Sequence, residues 1–107
     1  MSPDIAGSLA AVRQHIEELD ALAEQTLHDL NTVAGTERVT KWKTRTAAML
    51  SHTVGPQEGQ AFANLQPGPS FTNDLVEEFT DLIECYRAPL TALATRLARL
   101  STPPDRG

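Results

Sequence analysis

Residues 5–30 read IAGSLAAVRQHIEELDALAEQTLHDL, and the placing of apolar side chains in this stretch decides the fold. Ile5, Leu9, Val12, Ile16, Leu19 and Ala23 follow one another at alternating steps of four and three, Thr26 takes the next slot, and Leu30 and Val33 continue the series. That spacing holds one stripe of a helix against a partner. Leu22 and Leu27 widen the stripe toward the C-terminal half, which suits the core of a bundle better than a two-stranded seam. Ser2 or Asp4 is the expected cap, with Pro3 at a first helical position. Gly35 is the expected stop.

The pattern returns in residues 75–100, LVEEFTDLIECYRAPLTALATRLARL, as Leu75, Phe79, Leu82, Tyr86, Leu90, Leu93, Leu97 and Leu100. This second long helix is expected to open at Thr72 or Asn73. Asp74, Glu77 and Glu78 then fall in its first turns and Arg96 and Arg99 near its end, both arrangements that suit the helix dipole. Pro89 inside the pattern predicts a kink or a break. Between the long helices, Val39, Trp42, Thr46, Met49 and Leu50 share one face of a helix from Thr36 or Glu37 to about Thr53, which Gly55-Pro56 ends. A short helix from Pro56 to about Leu65 buries Phe62 and Leu65, and Gln66-Pro-Gly-Pro-Ser70 reads as a loop. No strand signal, internal repeat or low-complexity tract is present.

The expected fold is therefore all-α: a bundle of about four helices over residues 1–100, with two long amphipathic helices first and last and two shorter ones between. Residues 101–107, with Pro103-Pro104, read as a disordered tail or the start of a linker. The simplest packing is an antiparallel hairpin of the long helices with the short pair covering one side. The stripes are long enough to invite self-association, for which two-fold symmetry is the commonest solution.

Composition narrows the function. A chain of 107 residues is one domain, and 40% hydrophobic residues is too many for a disordered one. No run of about 18 apolar residues exists to span a membrane, and the N-terminus lacks the basic region of a secretory signal. The single cysteine, Cys85, cannot form an internal disulfide; it favours a reducing compartment, the cytoplasm, and reads as a partly buried small hydrophobe. The formal net charge of -5 argues against nucleic-acid binding by the whole surface. The charge is unevenly spread. From Pro56 to Tyr86 there is no Lys or Arg against Glu58, Asp74, Glu77, Glu78, Asp81 and Glu84, whereas residues 38–45 carry Arg38, Lys41, Lys43 and Arg45.

Chemical motifs are scarce. His15, His28 and His52 form no Glu-x-x-His or His-Glu-x-x-His pair, and Glu24 with His28 reads as a solvated helix face. The glycines form no phosphate loop, and Ser51-His52 faces two ways on a helix. No metal or cofactor is implied. Glu77, Asp81 and Glu84 share a stripe that reads as a wet face. The most unusual feature is Arg38, Lys41 and Arg45 on one side of the second helix beside the only tryptophan, Trp42. A basic patch with an aromatic can hold an anion, a nucleotide or single-stranded nucleic acid, or dock a partner protein; the alternative buries Trp42 in the core and leaves the bases solvated or paired with acids.

Two resemblances add to this. Arg45-Thr-Ala-Ala-Met-Leu-Ser-His52 resembles the Arg-spacer-His motif of the HEPN ribonucleases, which are small helical bundles. That resemblance implies RNA cleavage, with Arg45 steadying a phosphate and His52 acting as acid–base. This chain has Thr46 where that family usually places Asn, Asp or His, and the motif lies on the second helix rather than a late one. The stretch Val39-Thr-Lys-Trp-Lys-Thr-Arg-Thr46, followed by Leu50, Gly55 and Phe62, resembles a pattern of small helical regions beside sensor or effector domains in bacterial anti-phage defence proteins. It carries no catalytic signature and implies an accessory, oligomerising or docking module. A non-catalytic interaction module, self-associating or binding another protein, is the expectation the residues support best.

Overall fold

The computed structural model describes residues 5–68 and 73–101. Four helices follow in order: α1 Ile5–Asp29, α2 Thr32–Thr53, α3 Pro56–Ala63 and α4 Leu75–Ser101. The expected caps at Ser2 and Asp4, Pro3, the expected start at Thr72 and residues 102–107 of the expected tail lie outside the described residues.

The α1–α2 boundary differs from expectation. Gly35 does not end α1; Leu30 does, in the left-handed conformation at φ 56°, with its amide still donating to Thr26 O at 2.7 Å. Asn31 then caps α2, its side chain accepting from the Ala34 amide at 3.1 Å. Gly35 sits in the first turns of α2, buried against Thr26, because only a residue without Cβ fits there: a Cβ would overlap the Thr26 hydroxyl and methyl. Thr26 is itself wholly buried, its hydroxyl donating to Leu22 O at 2.8 Å. Leu30 and Val33, expected on the α1 stripe, are instead exposed. The second helix thereby gains a turn and is close to α1 in length.

At the other end of α2 the expected punctuation stands: Val54 and Gly55 amides both return to Leu50 O, and Pro56 opens α3. Gly59 lets α3 close on α2, where a Cβ would lie 2.7 Å from the Ala47 carbonyl. Asp74 caps α4, accepting from the Val76 amide at 2.9 Å and the Glu77 amide at 3.3 Å. No break occurs at Pro89. The helix runs through it, with Tyr86, Leu90 and Leu93 buried on either side and Pro89 itself exposed. Burial of those flanking residues outweighs the roughly 3 kcal/mol a proline costs inside a helix.

α1 runs antiparallel to α2, as Ser8 bonded to Thr53 O, His15 bonded to Thr46, and Gly35 pressed on Thr26 show. α2 and α4 run parallel side by side, and α1 packs antiparallel against both, tied to α4 by Arg87–Asp20 at 2.9 and 3.3 Å. α3 lies over the C-terminal half of the slot between α2 and α4, where Phe62 and Leu65 face Leu50, Leu90 and Leu93. Trp42 is the centre of the core. It is 0% exposed, its ring meets Phe62 edge-on at 5.7 Å and Tyr86 at 6.3 Å, and its Nε1 donates to His15 O at 2.9 Å. One side chain thus joins all four helices. Cys85 is half-buried against this core, as a small hydrophobe.

Candidate functional site

α3 is too short to cover the whole α2–α4 slot. Over the N-terminal half of the slot an open groove of about 790 Å³ remains. Its floor is Phe79, Leu82 and Cys85 of α4; Val33 and Leu75, 72% and 64% exposed, stand at its edges. Glu37, Glu78 and Asp81 line it as exposed acids, and no Lys or Arg is among its described lining residues. Pro67 and Gly68 lie along one side. Leu27 and Leu30, at the end of α1 that leads into α2, are also exposed. Of the five large apolar side chains exposed among the described residues, four sit at this end of the bundle: Leu27, Leu30, Val33 and Leu75.

Sequence reading did not find this groove. Val33 and Leu75 continue the two stripes in register, so periodicity assigned them to the core. The one signal pointing there was the absence of any base between Pro56 and Tyr86.

The basic face lies elsewhere on α2. Lys41 and Arg45 are exposed, and Arg45 Nη1 pairs with Glu18 of α1 at 3.2 Å. Such an exposed pair is worth about 0–1 kcal/mol. Arg38 is half-buried, and its Nη1 is enclosed without a hydrogen-bond partner among the described residues. Trp42 turns away from these bases into the core. The nearby Lys43 also turns inward, its Nζ 5.0 Å above the Tyr86 ring and donating to Leu65 O at 2.7 Å. Residues 38–45 therefore present three bases to the surface region of α2, with the aromatic removed from the patch.

Beside them His15 Nδ1 lies 2.7 Å from Thr46 Oγ1 and 3.7 Å from Glu18 Oε1. Burial holds His15 below the ordinary histidine range; Glu18 pulls it up and Arg45 pushes it down. Arg45 and His52 lie two turns apart on α2, roughly 10 Å along the axis, with Arg45 engaged by Glu18 and His52 exposed. Glu77, Asp81 and Glu84 are exposed along α4. Among the described residues no group of three or more His, Cys, Asp or Glu is placed to hold a metal ion, and no helix is long and apolar enough to cross a membrane.

No protein-family model, curated protein or solved structure matches this chain.

Proposed function

We propose that this chain is a non-catalytic helical interaction module of the cytoplasm, whose working surface is the groove end of the bundle. The observation that carries the reading is the exposure of Leu27, Leu30, Val33 and Leu75 at that end, where Val33 and Leu75 line an open apolar groove. Small soluble domains seldom leave large apolar side chains grouped on the surface unless something covers them. Leu30 sharpens the point. A left-handed backbone costs a non-glycine residue roughly 1–2 kcal/mol, and glycine would adopt it freely. Leu30 holds that conformation at 65% exposure, so folding alone gives no reason for a leucine there, whereas a contact surface does. Apart from Leu100 near the far end of α4, the large side chains of the long stripes are otherwise covered within the chain, which leaves self-association chiefly this same end to work with. The resemblance of residues 39–62 to helical regions of bacterial defence proteins would make the partner an effector protein.

The test is the pair Leu30→Gln with Val33→Gln. Both side chains are exposed, so the double variant should keep the wild-type helical circular dichroism and lose less than about 0.5 kcal/mol of stability. It should lose whatever the wild type holds, read as the dimer fraction by sedimentation velocity and as protein recovered by affinity capture from the native cytoplasm. Identical sedimentation and identical captured protein for variant and wild type would end this reading.

The enclosed Arg38 Nη1, without an acceptor among the described residues, favours a second contact point, because a small anion held between Arg38 and Lys41 would supply one. Inorganic phosphate titrated into the protein should shift the amide resonances of residues 37–42, and Lys41→Ala should weaken that response severalfold. A titration that leaves those resonances in place removes the anion reading.

A further inference from the structure

We infer that the groove takes a basic amphipathic helix from a partner protein, laid between α2 and α4 in line with α3. The inference rests on the interaction reading above and names the partner's chemistry. Three features argue for it. First, the slot between the parallel α2 and α4 is already a helix site over its other half. There α3 lies over it, the Phe62 ring 6.0 Å from that of Tyr86, with a small cavity of about 90 Å³ left between Phe62 and Leu65 and the walls Leu50, Leu90 and Leu93. The open half has the same two walls and an apolar floor of Phe79 and Leu82, so a second helix placed end-on to α3 meets the same geometry. Second, the polar lining has one sign. Glu37 on α2 and Glu78 and Asp81 on α4 are exposed, with no base among the described lining residues. Lys or Arg flanking the apolar stripe of the incoming helix would meet these acids, steering its approach and fixing its orientation. Third, the charge pattern disfavours a symmetric second copy. Two-fold pairing through this face would set Glu37, Glu78 and Asp81 against the same acids of the other chain.

Cys85, in the floor and free, reports occupancy directly. The experiment uses the whole chain and two synthetic 16-residue helical peptides sharing one stripe of leucines at i, i+3, i+4 and i+7. One carries lysines flanking the stripe, the other glutamates. The rate of Cys85 modification by a maleimide is measured against peptide concentration. The lysine peptide should slow the reaction at least fivefold at saturation. The glutamate peptide should need on the order of tenfold more for the same effect, as three exposed pairs would give. That difference should shrink at 1 M salt, where the screening length falls to about 3 Å. Glu37→Gln with Glu78→Gln and Asp81→Asn, all exposed, should abolish the preference while leaving helicity unchanged.

Protection by neither peptide overturns the inference, and so does equal protection by both. Protection that rises with the protein's own concentration assigns the groove to a second copy. Slow modification of the free chain that speeds up in Phe71→Ser assigns it to residues 69–72. Either result overturns the basic-helix partner. Loss of capture in Leu30→Gln/Val33→Gln beside a failed peptide experiment would keep the interaction reading and reject only this partner.

Discussion

Trp42→Ala is expected to lower the stability of the chain by about 3–5 kcal/mol. The indole is wholly buried and meets a residue of each of the other three helices. It packs edge-on against Phe62, lies tilted against Tyr86, and donates to the His15 carbonyl. Truncation removes the apolar burial, leaves a cavity bordered by two rings that lose a face, and leaves the half-buried His15 carbonyl without that donor. A domain of this size has about 5–15 kcal/mol in total, so the variant should lie near the edge of folding at 37 °C. Urea titration followed by circular dichroism measures the loss. Trp42→Phe separates the parts in degree, since it keeps one aromatic ring in the core while deleting the donor and part of the buried volume; it should fall well short of the alanine cost. A loss below 1 kcal/mol for Trp42→Ala would show that the four helices hold together without this hub. The native protein should also show blue-shifted tryptophan emission.

Gly35→Ala is the second large effect, and its sign runs against helix propensity. Alanine inside a helix is favoured over glycine by about 1 kcal/mol. Here the added methyl would collide with the Thr26 hydroxyl and methyl, and Thr26 cannot retreat: it is wholly buried and its hydroxyl is engaged by Leu22 O. Overpacking of this kind typically costs about 1–3 kcal/mol, so a net loss of stability is expected where propensity alone predicts a gain. Thr26→Ala removes both colliding atoms. The double variant should therefore be more stable than the sum of the two single losses, with a coupling of about 0.5–3 kcal/mol between contacting residues. Additive losses would show that α1 and α2 do not close on each other at this point.

How much of this could be read in advance depended on whether the deciding interaction is local. The buried faces were legible, because Leu9, Val12 and Leu19 on α1 and Phe79, Leu90, Leu93 and Leu97 on α4 all fall on the predicted stripes and are buried. Trp42 in the core follows from its spacing with Val39, Thr46 and Leu50. Ile83 was missed: it is buried although it lies off the stripe, because α4 contacts both α1 and α2 and so buries a broader face than one period marks out. The α1–α2 boundary was misplaced because Gly35 has two uses that look alike in a sequence, ending a helix or letting two helices touch. A leucine that takes the left-handed turn in its stead gives no local sign. Unbroken α4 at Pro89 is likewise decided by flanking burial rather than by proline. For the sites, the spacing of Arg38, Lys41 and Arg45 was legible, while the pairing of Arg45 with Glu18 and the enclosure of Arg38 depend on a helix far off in sequence. The groove was illegible for the same reason. Whether Val33 and Leu75 are covered depends on which half of the α2–α4 slot α3 reaches.

The central place of α1 between α2 and α4 carries a consequence for assembly order. The α1–α2 hairpin can zip from its turn, where Thr26 and Gly35 meet, and each further contact closes a slightly longer loop. Docking α4 requires a far longer closure, as with Asp20 and Arg87, 67 positions apart, and such contacts come at a greater entropic cost before they are rewarded. One wall of the groove is on α2 and the other on α4, whose docking closes the longer loop. The surface therefore comes into being only once the last helix is seated. A partner that reads this groove distinguishes finished chains from half-folded ones, and by binding it holds α4 in place and slows the chain's unravelling.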